Sequence, residues 1–224
     1  MCARGRPVEG VPMPSLTRVP RSARTPPEDR RAEFERRVLH AVEELLSQGT
    51  PFTELAVQRI AAASGAARST FYRYFPDKSS LLIRLGELAT AELFAAAERW
   101  WSAERTDRQA GVVQAAAAMI EGVRAHRFLL VALSEVAAYD REVGAYWRAR
   151  VAAFTEVVTA RLAAERAAGS VAPQLDPRST AVILTAMVER TTAYAVAGET
   201  GIDDADLAEG LGRAIWLVVY GDAP

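Results

Sequence analysis

The chain has 224 residues, half of them apolar and a quarter charged, and its formal net charge is −1. Such a composition is typical of a globular protein with one large domain or two small ones. Cys2 is the single cysteine, so disulfide scaffolds and cysteine-based zinc sites are excluded. His40 and His126 are the only histidines, too few for a histidine-rich catalytic site. We therefore expect neither a metal nor a cofactor.

Residues 1–25 are basic and rich in proline, with five arginines against one glutamate. They show no sustained periodicity, and we predict a disordered basic tail. Such a tail either contacts nucleic acid or is a solvated leader, and both interpretations stay open. The N-terminus lacks an apolar signal core, and no apolar run reaches the roughly 18 residues of a membrane span. We expect a cytoplasmic, nucleoid-associated protein with no membrane partner.

From residue 26 onward, apolar residues recur at the 3.6-residue spacing of helices, and no stretch shows sustained alternation. Thr25-Pro26-Pro27-Glu28 predicts the start of the first helix, and Gly49 predicts its end. The sequence thus predicts an all-α fold of about nine helices, with a three-helix, helix-turn-helix domain over 26–76 and a larger helical domain over 77–224. The later helices are expected at about 56–64, 67–75, 77–101, 106–124, 127–138, 141–168, 176–198 and 204–220.

The short helix predicted at 67–75 has two different faces. Phe71 and Phe75 are four residues apart and share one buried side, and Gly65 suits a tight turn that requires positive φ. A helix with an exposed basic side fits the DNA major groove, where Arg forks onto guanine and Tyr bonds phosphate. Lys78 adds a positive charge at the start of the next helix, where backbone N–H groups favour an anion. The candidate DNA-binding residues are Arg68, Ser69, Thr70, Tyr72, Arg73, Tyr74 and Lys78.

The same stretch resembles the DNA-binding region of the TetR family of transcriptional repressors. The matching positions are Ile60-Ala61, Gly65, Phe71-Tyr72, Phe75 and Lys78-x-x-Leu81. The resemblance implies a repressor that binds double-stranded operator DNA through a helix-turn-helix. The chain departs from the family pattern at Ala56 and Ala67, where Ser or Thr usually caps the two short helices. The loss of such a cap costs about 1 kcal/mol.

The C-terminal part, from about 142 to 221, resembles the EthR-type branch of the same family. The matching segments are Glu142-Val143-x-x-x-Trp147, Glu165-Arg166, Glu189-Arg190-Thr191, Ala197-Gly198-Glu199 and Ile215-Trp216-x-x-x-Tyr220-Gly221. The resemblance implies a homodimer with a long, mostly apolar tunnel, which leaves DNA when a small effector fills the tunnel. The tunnel-lining positions of that branch fall on Met119, Trp147, Phe154, Thr185, Val188 and Trp216. The branch carries amides at the positions of Thr185 and Val188, so a more apolar effector is implied here.

The last two predicted helices, about 177–198 and 204–220, are apolar on nearly every side around Val182-Ile183-Leu184 and Ile215-Trp216-Leu217. A terminal helix of a small protein cannot bury every face within its own chain. We therefore predict that both helices pair with their copies in a second subunit, as a four-helix interface. Two central core helices within one subunit are the alternative.

Glu189 and Arg190 point about 100° apart on a helix and cannot share one site, so we expect at least one to form an ion pair between helices. A small-molecule or lipid carrier that retains the DNA-binding fold as a scaffold is the alternative function. An enzyme is not expected, because the sequence contains no evident nucleophile–base pair or metal cluster.

Overall fold

The computed structural model describes residues 27–102, 108–198 and 201–221, and within these ranges the chain is helical with no strand. This confirms the all-α prediction. The predicted tail over 1–25 and the predicted helix starts at Thr25 and Thr106 lie outside the described residues. The described helices are α1 (Pro27–Ser47), α2 (Val57–Ala63), α3 (Arg68–Tyr74), α4 (Lys78–Ser102), α5 (Arg108–Ala125), α6 (Arg127–Ala137), α7 (Arg141–Ala167), α8 (Pro177–Ala197) and α9 (Asp204–Tyr220), with a short 3-10 turn at Phe52–Glu54.

The helix ends follow from local side-chain chemistry. Asp140, Asp176 and Asp203 each precede a long helix, and each side chain accepts hydrogen bonds from backbone N–H groups of the first turn. The short helices α2 and α3 have no side-chain cap, because Ala56 and Ala67 precede them. These two helices therefore depend on packing for their stability rather than on their own termini.

The core of the N-terminal helices continues into the rest of the molecule. Phe34 and Val38 of α1 pack with Phe71 and Phe75, and the same buried cluster includes residues 81, 82 and 85 of α4. It extends further to Leu129 and Leu133 of α6 and Val143 of α7. The first turns of α4 thus belong to the core of the N-terminal helices, which we call the head and define as α1 to α3.

The C-terminal helices α5 to α9 pack around two further buried clusters. One contains Phe154, Val158 and Leu162 of α7 with Leu184 of α8. The other contains Ala116 and Ile120 of α5 with Ala208 and Leu211 of α9. The same two helices touch at Gly212, where an added Cβ would stand 2.7–2.9 Å from atoms of Val113. Within the described residues, no helix combines the length and the hydropathy needed to cross a bilayer.

Candidate nucleic-acid interface and internal cavity

Gly65 sets the angle between α2 and α3. Its φ is +69°, a value that glycine adopts without steric cost. The Gly65 N–H donates to the carbonyl of Ala62, and the Ala66 N–H donates to the carbonyl of Ala61. This pair of bonds is the Schellman motif that ends a helix. The turn predicted from the sequence is therefore present, and it holds the two helices of a helix-turn-helix.

Aromatic packing fixes the inner face of α3. Phe71 and Phe75 are almost fully buried, with ring centroids 5.1 Å apart. We grouped Tyr74 with the DNA-binding residues, but the structure places its half-buried ring against Phe34 of α1, at 4.8 Å. Tyr74 follows Phe71 by three residues, and this spacing brings it to the inner side of the helix. Its position is that of a packing residue between α3 and α1.

The outer face of α3 is basic and exposed. Arg68, Ser69, Tyr72 and Arg73 are exposed, and Thr70 is half-buried. The Arg68 guanidinium lies over the Tyr72 ring, 5.5 Å from its centroid. No acidic residue occurs between 57 and 75. This face offers donors and positive charge without competing carboxylates, which is what phosphate and base-edge contacts require.

Lys78 has a different environment from the one we expected. Its Nζ donates to the carbonyl oxygens of Phe52, at 2.6 Å, and Thr53, at 2.9 Å, and it lies 4.9 Å from the centroid of the Phe52 ring. Burial lowers the pKa of Lys78. The ammonium group therefore ties the start of α4 to the turn between α1 and α2, rather than standing free to meet a phosphate. The sequence spacing alone could not reveal this bond, because its partners are backbone atoms 25 and 26 residues away.

A cavity of about 240 Å³ lies among α4 to α8. Each helix contributes residues at the spacing of one helical face, such as positions 90, 93, 94 and 97 of α4. Five of the six predicted tunnel residues line it: Met119, Trp147, Phe154, Thr185 and Val188. Trp216 is not among the lining residues, because its ring stacks on Tyr220 of its own helix, with centroids 4.3 Å apart.

Glu189 also lines the cavity, which the sequence account did not predict. Its Oε1 accepts a hydrogen bond of 2.7 Å from Nε1 of Trp147, which joins α8 to α7. We expected an ion pair at Glu189 or Arg190; the structure instead gives Glu189 this indole bond and places Arg190 over the Tyr194 ring. The missed signal was the i to i+4 spacing from Thr185, which puts Glu189 on the same helix face.

Polar contacts join the head to α4, and α4 in turn to α7. Glu35 of α1 is buried and binds Arg84 of α4 at 2.6 Å and Arg31 at 2.8 Å. Ser79, at the start of α4, donates to Oδ2 of Asp140, whose Oδ1 caps α7. Backbone N–H groups of α7 and the Ser79 hydroxyl lower the pKa of Asp140. The cavity-lining helices α4 and α7 thus both begin at the base of the head.

The outer sides of α8 and α9 carry large apolar side chains in solvent. Exposed residues there include Val182, Ile183, Leu217 and Val218. An exposed apolar stripe shared by two adjacent helices is typical of an interaction surface. Within the described residues, no group of three or more His, Cys, Asp or Glu side chains is arranged to hold a metal ion.

The fold and the basic outer face of α3 define a helix-turn-helix, DNA-binding transcription regulator. Residues 38–85 match the family model described as bacterial regulatory proteins, tetR family, and residues 112–221 match that of the transcriptional regulator EthR, C-terminal domain. The chain belongs to the TetR family and is EthR-like.

Relatives and solved structures agree with this assignment. The HTH-type transcriptional regulator EthR of Mycobacterium tuberculosis (strain ATCC 25618 / H37Rv) is 29% identical over 214 residues, covering 93% of this chain and 95% of that protein. Its namesake in Mycolicibacterium smegmatis is 26% identical over 215 residues, covering 94% and 96%. These relatives are transcriptional regulators, not enzymes.

Two solved structures share the fold. Bacillus subtilis FadR, in complex with stearoyl-CoA, has a TM-score of 0.66 at 18% identity, covering 84% of this chain and 98% of that chain. NalD, the secondary repressor of the MexAB-OprM multidrug efflux pump in Pseudomonas aeruginosa, has a TM-score of 0.64 at 17% identity, covering 87% and 100%.

Proposed function

We propose that the chain is a ligand-responsive repressor. A homodimer binds operator DNA through α3 and leaves it when a small, mostly apolar effector fills the cavity. In this proposal residues 26–76 read DNA, and residues 77–224 bind the effector and form the dimer. The face that meets DNA consists of Arg68, Ser69, Thr70, Tyr72 and Arg73, whose exposure and charge support the assignment.

Helix α4 runs from the core of the head to the cavity, and this course supports the proposal. Leu81, Leu82 and Leu85, near its start, are fully buried in the core shared with the head. Leu93 and Phe94, two to three turns further on, line the cavity. An effector larger than this cavity adds volume that a close-packed interior does not absorb locally, so it displaces α4 beside Phe94, and the head moves with it.

In a dimer, this displacement changes the distance between the two α3 helices and so releases the protein from DNA. Two recognition helices must lie about 34–36 Å apart to enter successive major grooves. An effector that favours another separation shifts the population away from the DNA-binding state. The exposed apolar stripe on α8 and α9 supports a second copy of the chain as the partner.

The test compares double-stranded DNA from the promoter of the protein's own gene with random DNA of equal length, in a gel shift at several salt concentrations. We expect the promoter to bind at least about 10³-fold more tightly, with an affinity that falls steeply as salt rises. Equal, weak binding to both DNAs would contradict the proposal and favour a carrier that keeps the fold as a scaffold.

A further inference from the structure

The charge of the cavity wall identifies a class of effector. We infer that the cavity takes a cationic amphiphile, meaning an amine or quaternary ammonium group joined to an apolar tail. This inference rests on the proposed function of the cavity as the effector site. It goes beyond that proposal because it sets the sign of the effector's charge and the direction in which the effector lies.

Carboxylates are the only charged side chains among the lining residues that the structure describes. Glu135 lies on the exposed wall formed by α6, and Glu189 lies half-buried on α8. Arg150 lies nearby on α7, but its guanidinium stands over the Phe94 ring, 4.2 Å from the centroid, and it is not among the lining residues. An anionic head group would meet two like charges with no described lining cation to offset them, whereas a cation finds two partners.

Glu189 is held in place before any ligand arrives. The Trp147 indole N–H can only donate, and it occupies one of the two carboxylate oxygens of Glu189. A carboxylate accepts at both oxygens, so the second can bind a cationic donor. Because the indole bond fixes the side chain between α7 and α8, little side-chain freedom is lost on binding, which favours affinity.

Aromatic rings add a second attraction for a cation. Trp147 and Phe154 line the same cavity as Glu189, whereas the Phe94 ring already has the Arg150 guanidinium over it. The faces of aromatic rings attract ammonium groups, and this attraction increases when the cation is desolvated. Rings combined with carboxylates therefore suit a quaternary ammonium group, which has no N–H to donate.

The apolar tail of the amphiphile meets a separate apolar region of the cavity. A smaller chamber of about 40 Å³ shares Ala97, Met119, Phe154, Thr185 and Val188 with the main cavity. The Thr185 hydroxyl donates to the carbonyl of Ala181, so it already has a partner. The remaining described lining residues of this chamber are all apolar, namely Val112, Ala115, Ala116, Val158, Leu184, Leu211 and Ile215. The end of the apolar tail points toward this chamber, and the charged group faces Glu135 and Glu189.

Three probes with straight alkyl tails of seven or eight carbons test the inference: octyltrimethylammonium, octanoate and 1-octanol, each measured by calorimetric binding and by release of promoter DNA. We expect the ammonium compound to bind at least about tenfold more tightly than octanoate and to release DNA at lower concentration. Tighter binding of octanoate would overturn the inference while leaving a ligand-responsive repressor intact. Binding by none of the probes would overturn it together with the effector role of the cavity.

Two substitutions, Glu189→Gln and Glu135→Gln, test which carboxylates bind the cation. Glu189→Gln keeps an oxygen for the Trp147 bond but removes the negative charge, and Glu121→Gln is the matched control on an exposed part of α5. We expect Glu189→Gln to weaken octyltrimethylammonium binding about tenfold or more and to leave 1-octanol binding unchanged. An unchanged ammonium affinity in Glu189→Gln and in Glu135→Gln would overturn the inference.

Thr185→Trp, which fills the cavity, should abolish binding of octyltrimethylammonium. Retained binding would show that the compound binds elsewhere and would overturn the inference.

Discussion

Glu35 is a carboxylate that is 1% exposed inside the core of the head. Burial raises the pKa of this carboxyl group, but hydrogen bonds and charge from Arg84 and Arg31 outweigh burial, so the net pKa lies below its ordinary value. The same contacts raise the pKa of Arg84. Glu35 is therefore ionised, and it holds α1 and α4 together by a paired charge.

Replacing Glu35 with Gln should destabilise the fold by about 2 kcal/mol at pH 7, since it leaves Arg84 with only the more exposed Glu87 as its counter-charge. A carboxyl whose pKa is lowered by folding stabilises the fold above its unfolded pKa, about 4.3, and this contribution is lost as pH falls through the lower, folded value. Urea unfolding at pH 7 and below pH 4 measures both effects.

The matched control is Glu33→Gln, which breaks the exposed ion pair with Arg37 on the same helix. It should cost no more than about 0.5 kcal/mol. A difference between Glu35→Gln and the unmodified protein that stays constant from pH 7 to pH 3 would contradict the ionised, buried pair.

Substitutions of Lys78 and Arg73 should have different effects: the first on stability, the second on DNA binding. Lys78→Ala removes a cation from two backbone carbonyls and should lower the free energy of unfolding by about 1–2 kcal/mol. Because the ammonium is already bonded, the salt dependence of DNA affinity should change little. Arg73→Ala should instead leave stability nearly unchanged and either reduce the salt slope by about one charge or relax one base preference.

Salt titrations of promoter binding, combined with urea unfolding of both variants, check this pair. A Lys78→Ala protein of normal stability whose salt slope falls by one charge would show that the lysine leaves the carbonyls and meets a phosphate.

At the scale of elements, α5 and α9 touch at Gly212 because it has no side chain. A Cβ there would stand 2.8–2.9 Å from backbone atoms of Val113, so the two helices would have to separate. Gly212→Ala should lower the free energy of unfolding by about 1–3 kcal/mol. Gly210→Ala is the control on the same helix, since its Cβ would meet nothing within 4 Å in the protomer.

Gly210→Ala should be neutral or stabilise the fold by up to about 1 kcal/mol, because alanine favours the helix. Thermal and urea unfolding of both variants test the pair. Equal changes in the free energy of unfolding at the two positions would contradict a close contact between α5 and α9 at Gly212.

The sequence predicts elements better than it predicts side-chain partners. Helical periodicity and the glycine after α2 are local signals, and they placed the helix ends to within a residue or two. The contacts of Lys78 and Glu189 were missed because their partners depend on tertiary packing. Trp216 lies outside the lining of the cavity because its ring stacks on Tyr220 of its own helix. The Glu189–Trp147 bond spans 42 residues, and spacing along one helix cannot reveal it.

At the scale of the whole molecule, the exposed apolar stripe on α8 and α9 predicts a dimer. Ile183 is 59% exposed in the protomer, so a charge there disturbs nothing within one chain but is buried in the proposed interface. Ile183→Asp should therefore give a folded monomer with much weaker promoter binding. Tyr139→Asp is the matched control, since Tyr139 is 66% exposed and lies away from both helices. Sedimentation measures the mass, and a dimeric Ile183→Asp protein would place the interface elsewhere.

The proposed coupling between the cavity and the head can be tested at Thr185. Its side chain lines both chambers, so Thr185→Trp fills the space of an effector without changing charge, while Thr185→Val keeps the volume and serves as the control. The deciding measurement is promoter affinity, taken together with dimer mass, for both variants. We expect a folded, dimeric Thr185→Trp protein whose promoter affinity falls at least about tenfold, and a Thr185→Val protein that binds as before. A folded, dimeric Thr185→Trp protein that binds the promoter as tightly as the unmodified chain would contradict the coupling.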